Sequence, residues 1–324
     1  MRKGGKIMLR KLISFSTFIL LSVALVGCSP SKNNDVTNDN KENASKVENN
    51  SESNKNDSKE KENNKTDGDK NESNDKSSQV SNTKPVNVVD ASNLDNTTVS
   101  WYFKPNTENK IPEINTNLKF DLKDYGAIYT GPTDKESKSL YLTFDEGYEN
   151  GYTPKILDVL KDKNVKAVFF VTSPYIEANP DLIKRMVDEG HIVGNHSNHH
   201  PSMPDKTDDV NVFNNEFADV EAKYKEITGK EMVKLFRPPM GKYSQKSLAM
   251  TNNLGYKSVF WSFAYHDWDP EDQPSHEVAK KKLTDHLHDG SILLLHAVSK
   301  TNTEILGEFI DSARDSGYEF KLLN

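Results

Sequence analysis

The sequence predicts an α/β fold built on a parallel sheet covered by helices. Three observations predict it. From Ser139 onward, seven short apolar runs alternate with six helical patterns, as a parallel sheet with helical crossovers requires. Gly190, Gly229, Gly255, Gly290 and Gly317 each follow a helical run, where a left-handed cap ends a helix. Acids, imidazoles and one guanidinium fall at the ends of the apolar runs, and in parallel folds all strand C-termini share the face that carries the site. An open doubly wound sheet and a closed barrel fit this alternation equally well.

The elements follow in order. Residues 1–27 join a basic start (Arg2, Lys3, Lys6, Arg10, Lys11) to an apolar run over 12–26 that ends in Leu25-Val26-Gly27-Cys28. Basic flank, short apolar core and small residues before a cut site describe a secretory signal. The ending resembles a bacterial lipobox, which implies cleavage before Cys28 and lipidation of its sulfur. Cys28 is the only cysteine, so no internal disulfide and no cysteine-rich zinc site exists. From Cys28 to residue 94 the chain is Asn, Lys, Ser, Asp and Glu with hardly an apolar residue. Such a stretch cannot offset its ordering entropy and is expected to be a disordered tether with a reach on the order of 45 Å. Residues 95–137, with Trp101, Tyr102, Phe103, Tyr125 and Tyr129, show no period and are expected to form an ordered, irregular lead-in.

Residues 138–324 carry the repeating pattern. Strands are predicted at 140–144, 167–171, 192–194, 234–236, 258–263, 292–295 and 319–322. Helices are predicted near 153–163, 180–189, 207–227, 244–253, 275–288 and 302–316. A net charge of -7 gives no sign of a nucleic-acid partner.

Five strand ends deliver chemistry. Asp145 and Glu146 end the first; His196 and His200 follow the third; Arg237 follows the fourth; Asp267 and Trp268 follow the fifth; His296 ends the sixth. Two adjacent acids at the end of a buried strand need partners. His196 and His200 are four apart, and on a helical turn they share a face suited to a metal. A carboxylate from another strand end would complete a His-His-carboxylate set for zinc with an open position. One acid then binds metal and the other stays free as a base, and the residues allow either assignment. Tyr148 is an aromatic candidate for lining a sugar cleft.

Thr143-Phe144-Asp145-Glu146-Gly147, His196-Ser197-Asn198-His199-His200, Arg237-Pro238-Pro239-Met240-Gly241, Asp267-Trp268 and Leu294-Leu295-His296 resemble, in order and spacing, the five motifs of the polysaccharide deacetylases (NodB-homology domains, carbohydrate esterase family 4). The flanks resemble the subgroup of muramic-acid de-N-acetylases. The resemblance implies a distorted (β/α)7 barrel over 138–324. It also implies metal-dependent hydrolysis of N-acetyl groups on peptidoglycan glycan strands, with N-acetylmuramic acid as the sugar and a muramic δ-lactam as the follow-on product. It implies Asp145 as general base, Arg237 as its orienting partner, His296 as general acid and Asp267 as the group that raises its pKa. Met240 would supply an oxyanion N–H, Trp268 an apolar wall, and Glu146, His196 and His200 the metal ligands, for Zn2+ with Co2+ or Mn2+ as alternatives. Two positions depart from the family pattern: Glu146 stands where Asp or Asn is usual, and Ala264 where Asp is usual. Expected partners are glycan strands, a membrane through lipidated Cys28 and, upstream, an amidase that strips stem peptides. The expected protein is a monomer, held extracytoplasmically on the outer face of the cell membrane. Alternatives are a deacetylase of N-acetylglucosamine polymers or xylan, and a wall-binding module on the same fold without catalysis.

Overall fold

The computed structural model describes residues 88–133 and 136–324, which fall within one unit of the chain. The signal segment, Cys28 and the tether as far as residue 87 lie outside the described residues. No helix among the described residues is long and apolar enough to cross a membrane.

The lead-in forms four short strands: β1 (Val99–Ser100), β2 (Phe103–Lys104), β3 (Glu113–Ile114) and β4 (Ala127–Ile128). There follow β5 (Lys138–Glu146), α1 (Thr153–Asp162), β6 (Val168–Val171), α2 (Ser173–Ala178), α3 (Pro180–Asp188), β7 (Ile192–Asn195), α4 (Val210–Thr228) and β8 (Leu235–Phe236). The chain ends with β9 (Lys242–Tyr243), α5 (Gln245–Asn253), β10 (Lys257–Val259), α6 (His276–Asp285), β11 (Ser291–His296), α7 (Lys300–Asp315) and β12 (Tyr318–Phe320).

The main sheet is parallel throughout, in the order β11-β5-β6-β7-β8-β10-β4, with β12 beside the start of β5. The expected strand at 258–263 ends at Val259 because the chain changes partners there. Phe260 N–H donates to Ile128, while Ser262 N–H donates to Ile292 and Leu294 N–H to Phe263. A parallel bridge joins Phe263 to Leu293, so the sheet closes on β11 and the barrel reading holds. The lead-in enters this sheet through β4, which pairs with β10.

Alternation along the strands sorts the core into two layers. Tyr141, Val168, Phe170, Leu235, Val259 and Ile292 pack together inside the barrel. Leu140, Leu142, Phe144, Phe169, Val171, Leu293 and Leu295 face outward and pack with residues of the surrounding helices, such as Ile156, Ile183, Val220 and Phe309. At Gly194 the barrel has room for no side chain: a Cβ there would lie 2.8 Å from the Phe170 ring and 3.2 Å from the Leu235 carbonyl oxygen.

All six predicted helices are present, with small shifts at their ends. Helix α2 is an addition. Thr172 caps it through the Tyr175 N–H, but six residues are too few to display a period.

Candidate active site

The strand alternation decides what Asp145 and Glu146 do. Asp145 shares the parity of Tyr141 and Thr143 and opens into a cavity of about 540 Å3 at the C-terminal ends of the strands. In register it sits beside His296 on β11. Glu146 shares the parity of Leu142 and Phe144 and points the other way. It is fully buried, its carboxylate accepts the Thr153 hydroxyl at 3.2 Å and 3.4 Å, and it does not line the cavity. Glu146, expected beside the histidine pair, thus lies on the opposite face of the sheet from the cavity, because a one-residue step along a strand crosses the sheet. Burial pushes the Glu146 carboxyl well above its usual range, and neighbouring Glu149 adds to the rise.

Asp145 is held by Arg237, which lies just after β8 and is fully buried. The guanidinium donates to Asp145 Oδ1 at 2.8 Å, to Thr143 Oγ1 at 2.8 Å and to the Val259 carbonyl at 3.2 Å. It also lies 4.2 Å from the Phe170 ring centroid. Each of the three guanidinium nitrogens thus has an acceptor, as a buried cation requires. Burial alone would raise the Asp145 carboxyl, but Arg237, His196 and His296 more than offset this and hold it below its ordinary value.

The His196–His200 segment is not the helical turn expected from the spacing. Ser197 and His200 have φ of 69° and 56°. The loop is closed by side chains: Asn195 Oδ1 accepts the Ser197 N–H at 2.8 Å and Ser197 Oγ accepts the His200 N–H at 2.9 Å. The two rings still meet, with centroids 4.7 Å apart. His196 Nδ1 bonds the Arg237 carbonyl oxygen at 2.8 Å. A carbonyl only accepts, so Nδ1 carries the proton and Nε2 presents its lone pair. That Nε2 is 3.6 Å from Asp145 Oδ2. Burial lowers the His196 pKa to about 4 against the pull of Asp145, and lowers that of His200 as well. Two neutral imidazoles beside a carboxylate suit a divalent cation. Among the described residues, however, no three His, Cys, Asp or Glu side chains converge as a ligand set. The residues fit a two-imidazole anchor, not the three-ligand set expected with Glu146.

His296 faces a second carboxylate. Its Nδ1 is 2.7 Å from Asp267 Oδ1 and its own N–H donates to Asp267 Oδ2 at 2.9 Å. Asn302 in α7 donates to the same Oδ2 at 2.6 Å, and the Tyr265 hydroxyl donates to Asn302. Burial would lower the His296 pKa, but Asp267 outweighs it and raises the value. Tyr148, Met240 and Trp268 line the same cavity and are each about half exposed (53%, 51% and 52%). Met240 itself has a left-handed φ of 56°.

The structure thus gathers Asp145, His196, His200, Arg237, Met240, Asp267, Trp268, His296 and Tyr148 around one cavity and leaves Glu146 out. Ala264, at the position that departs from the family pattern, lines the cavity too. Sequence reasoning missed Thr143 and Asn302. Thr143 shares the parity of Asp145, a signal that was available. Asn302 opens a helix and carries no local signal.

A carboxylate and an imidazole, each with its own buried partner, face one cavity on neighbouring strand ends. The two strand ends belong to a distorted parallel barrel. The polysaccharide deacetylase family matches residues 133–259. The peptidoglycan-N-acetylmuramic acid deacetylase PdaA of Bacillus subtilis is 42% identical over 234 residues, which is 72% of this chain and 88% of that protein. The solved structure of Bacillus subtilis PdaA, a family 4 carbohydrate esterase, matches with a TM-score of 0.67 at 42% identity, covering 71% of this chain and 96% of that one. The peptidoglycan-N-acetylglucosamine deacetylase PgdA of Listeria monocytogenes is 34% identical over 189 residues, 58% of this chain and 39% of that protein. This chain belongs to the polysaccharide deacetylase family.

Proposed function

We propose that this protein removes the N-acetyl group from peptidoglycan sugars, with N-acetylmuramic acid as the sugar. The observation that carries the hydrolytic reading is the pairing of Asp145 with Arg237 and of His296 with Asp267 at adjacent positions of β5 and β11. Similarity to a muramic acid deacetylase over most of that protein's length supports the choice of sugar.

Asp145, kept ionised by Arg237, takes the proton of the attacking water as general base. His296, kept protonated by Asp267, donates to the departing sugar nitrogen. The Met240 N–H donates to the oxyanion that forms at the acetyl carbonyl. Trp268 and Tyr148 offer apolar rings to the acetyl methyl and the sugar face. His196 and His200 would hold a divalent metal, with Zn2+ the ion that best suits two imidazoles, and such an ion supplies Lewis acidity. Lipidated Cys28 and the tether would place the domain outside the cell membrane, within reach of the wall, after an amidase has bared the muramic lactyl group.

The test is digestion of purified peptidoglycan, with added zinc and with chelator, followed by mass spectrometry of the muropeptides. Loss of acetyl from muramic acid, abolished by chelator and by Asp145→Asn, is the expected result. Acetyl loss from glucosamine alone would replace the sugar assignment. No acetyl loss from any glycan, with metal bound, would replace the enzyme by a wall-binding module.

A further inference from the structure

We propose that Trp101, far outside the sequence motifs, is a positioning residue for the oxyanion turn, and that the lead-in is thereby part of the active site. The inference rests on the deacetylase reading above, because it concerns the N–H of Met240.

The turn Pro238–Gly241 is held in an unfavourable shape. Met240 and Gly241 are consecutive left-handed residues, with φ of 56° and 63°. A non-glycine residue is disfavoured there, and such conformations persist only where the surroundings over-determine them. The turn supplies two bonds of its own, from the Gly241 N–H to the Pro238 carbonyl at 3.1 Å and from the Lys242 N–H to the Pro239 carbonyl. The lead-in adds further support. The Trp101 N–H donates to the Gly241 carbonyl at 2.8 Å. Strand β1 pairs antiparallel with β9 directly after the turn, Ser100 opposite Lys242 and Val99 opposite Tyr243. A Cβ at Gly241 would lie 3.0 Å from Trp101 Cβ and 3.0 Å from the Trp261 ring, so the backbones approach as closely as glycine permits.

The Trp101 side chain secures the opposite wall. Its ring stacks on Phe260 with centroids 4.4 Å apart and an interplanar angle of 17°. Its indole N–H donates to the Trp261 carbonyl at 3.0 Å. Trp261 in turn lines the cavity and sits 5.7 Å from the Arg237 guanidinium. One residue therefore ties the loop after β8, which carries Met240, to the segment after β10, which carries Trp261. Oxyanion donors act only when fixed before charge develops. Losing the Trp101 side chain leaves the main-chain bond to Gly241 in place but frees Trp261, whose ring packs against Gly241, and should therefore lower kcat and leave ground-state binding of the glycan intact.

The test uses the full-length protein with Trp101→Ala, Trp101→Phe and, as a matched control, Leu122→Ala, which opens a void in the same cluster. Trp101→Ala is expected to lower kcat by on the order of 10–100-fold, the range reached when a reacting geometry shifts by about 1 Å, with KM within about twofold. Trp101→Phe keeps the stack and loses only the indole bond, so its kcat should fall by less than that of Trp101→Ala. Leu122→Ala should lower the melting temperature and keep kcat. Amide NMR supplies a readout independent of activity: the Met240 and Gly241 signals should shift and broaden in Trp101→Ala and stay in place in Leu122→Ala. Wild-type kcat in both Trp101 variants, equal loss in Leu122→Ala, or unmoved Met240 and Gly241 signals overturns the inference. Inactive wild-type protein with the expected NMR changes would sink the deacetylase reading and leave the positioning contact standing.

Discussion

Replacing Glu146 by Gln separates the metal-ligand role expected from sequence from the buried position the structure assigns. Gln keeps the shape and the acceptor oxygen for the Thr153 hydroxyl, and it removes an acid that faces another carboxylate, Glu149, in a dry site. The folded pKa lies above the unfolded value of about 4.5. Between the two, the folded state retains a proton that the unfolded state has released, so stability falls as pH rises through that window. Glu146→Gln abolishes the loss. Its stability gain should be small at pH 4, grow with pH, and reach about 2 kcal/mol, the middle of the range for a buried polar group without a matched partner. For a domain of this size that corresponds to roughly 4–8 °C in melting temperature. Thermal melts of wild type and variant from pH 4 to pH 9 measure it, alongside metal titration and acetate release. Metal affinity and kcat should stay within about threefold of wild type, since the side chain lies across the sheet from the cavity. Loss of a true ligand would exceed the 10–100-fold cost seen for outer-shell partners. Such a loss, or a variant no more stable at pH 9 than at pH 4, would refute the placement of Glu146.

Three other outcomes follow from the same geometry. Asp267→Asn removes the anion that raises the His296 pKa; the alkaline limb of kcat should move to lower pH, with a fall on the order of 100-fold at pH 8, and an unmoved limb would count against His296 as the acid. Arg237→Met leaves burial to dominate at Asp145, so the acid limb should move to higher pH, and denaturant unfolding should show a loss of about 3–5 kcal/mol as for a broken buried pair. Gly194→Ala drives a methyl into the Phe170 ring that faces Arg237 and should cost about 1–3 kcal/mol as overpacking; a neutral or stabilising result in urea titrations would contradict the tight barrel interior.

Much of this architecture was legible because it is local. Strand and helix periods, Gly caps and the run of acids and imidazoles at strand ends are properties of neighbouring residues. They sufficed to bring Asp145, His196, Arg237, Asp267 and His296 to one face. The spacing of His196 and His200 suggested a helical turn, and the structure reaches the same meeting of rings by a different route. Asn195, Ser197 and Glu216 close the loop there with side-chain bonds that a spacing rule does not weigh.

What sequence alone determined is the order of the elements and the chemistry at their ends. Which face of β5 is the lumen was left to the fold. Tyr141 and Leu142, or Val168 and Phe169, are apolar on opposite faces of a sheet that is buried on both sides, so no contrast in polarity marks inside from outside. Barrel closure supplied the answer, when Phe263 bridged Leu293 and made the face of Tyr141, Thr143 and Asp145 the interior. The same closure left Glu146 among the helices. Trp101 and Asn302 meet the site through long-range contacts, such as those at sequence separations of 160 and 35 residues, and proximity of that kind exists only once the chain has folded.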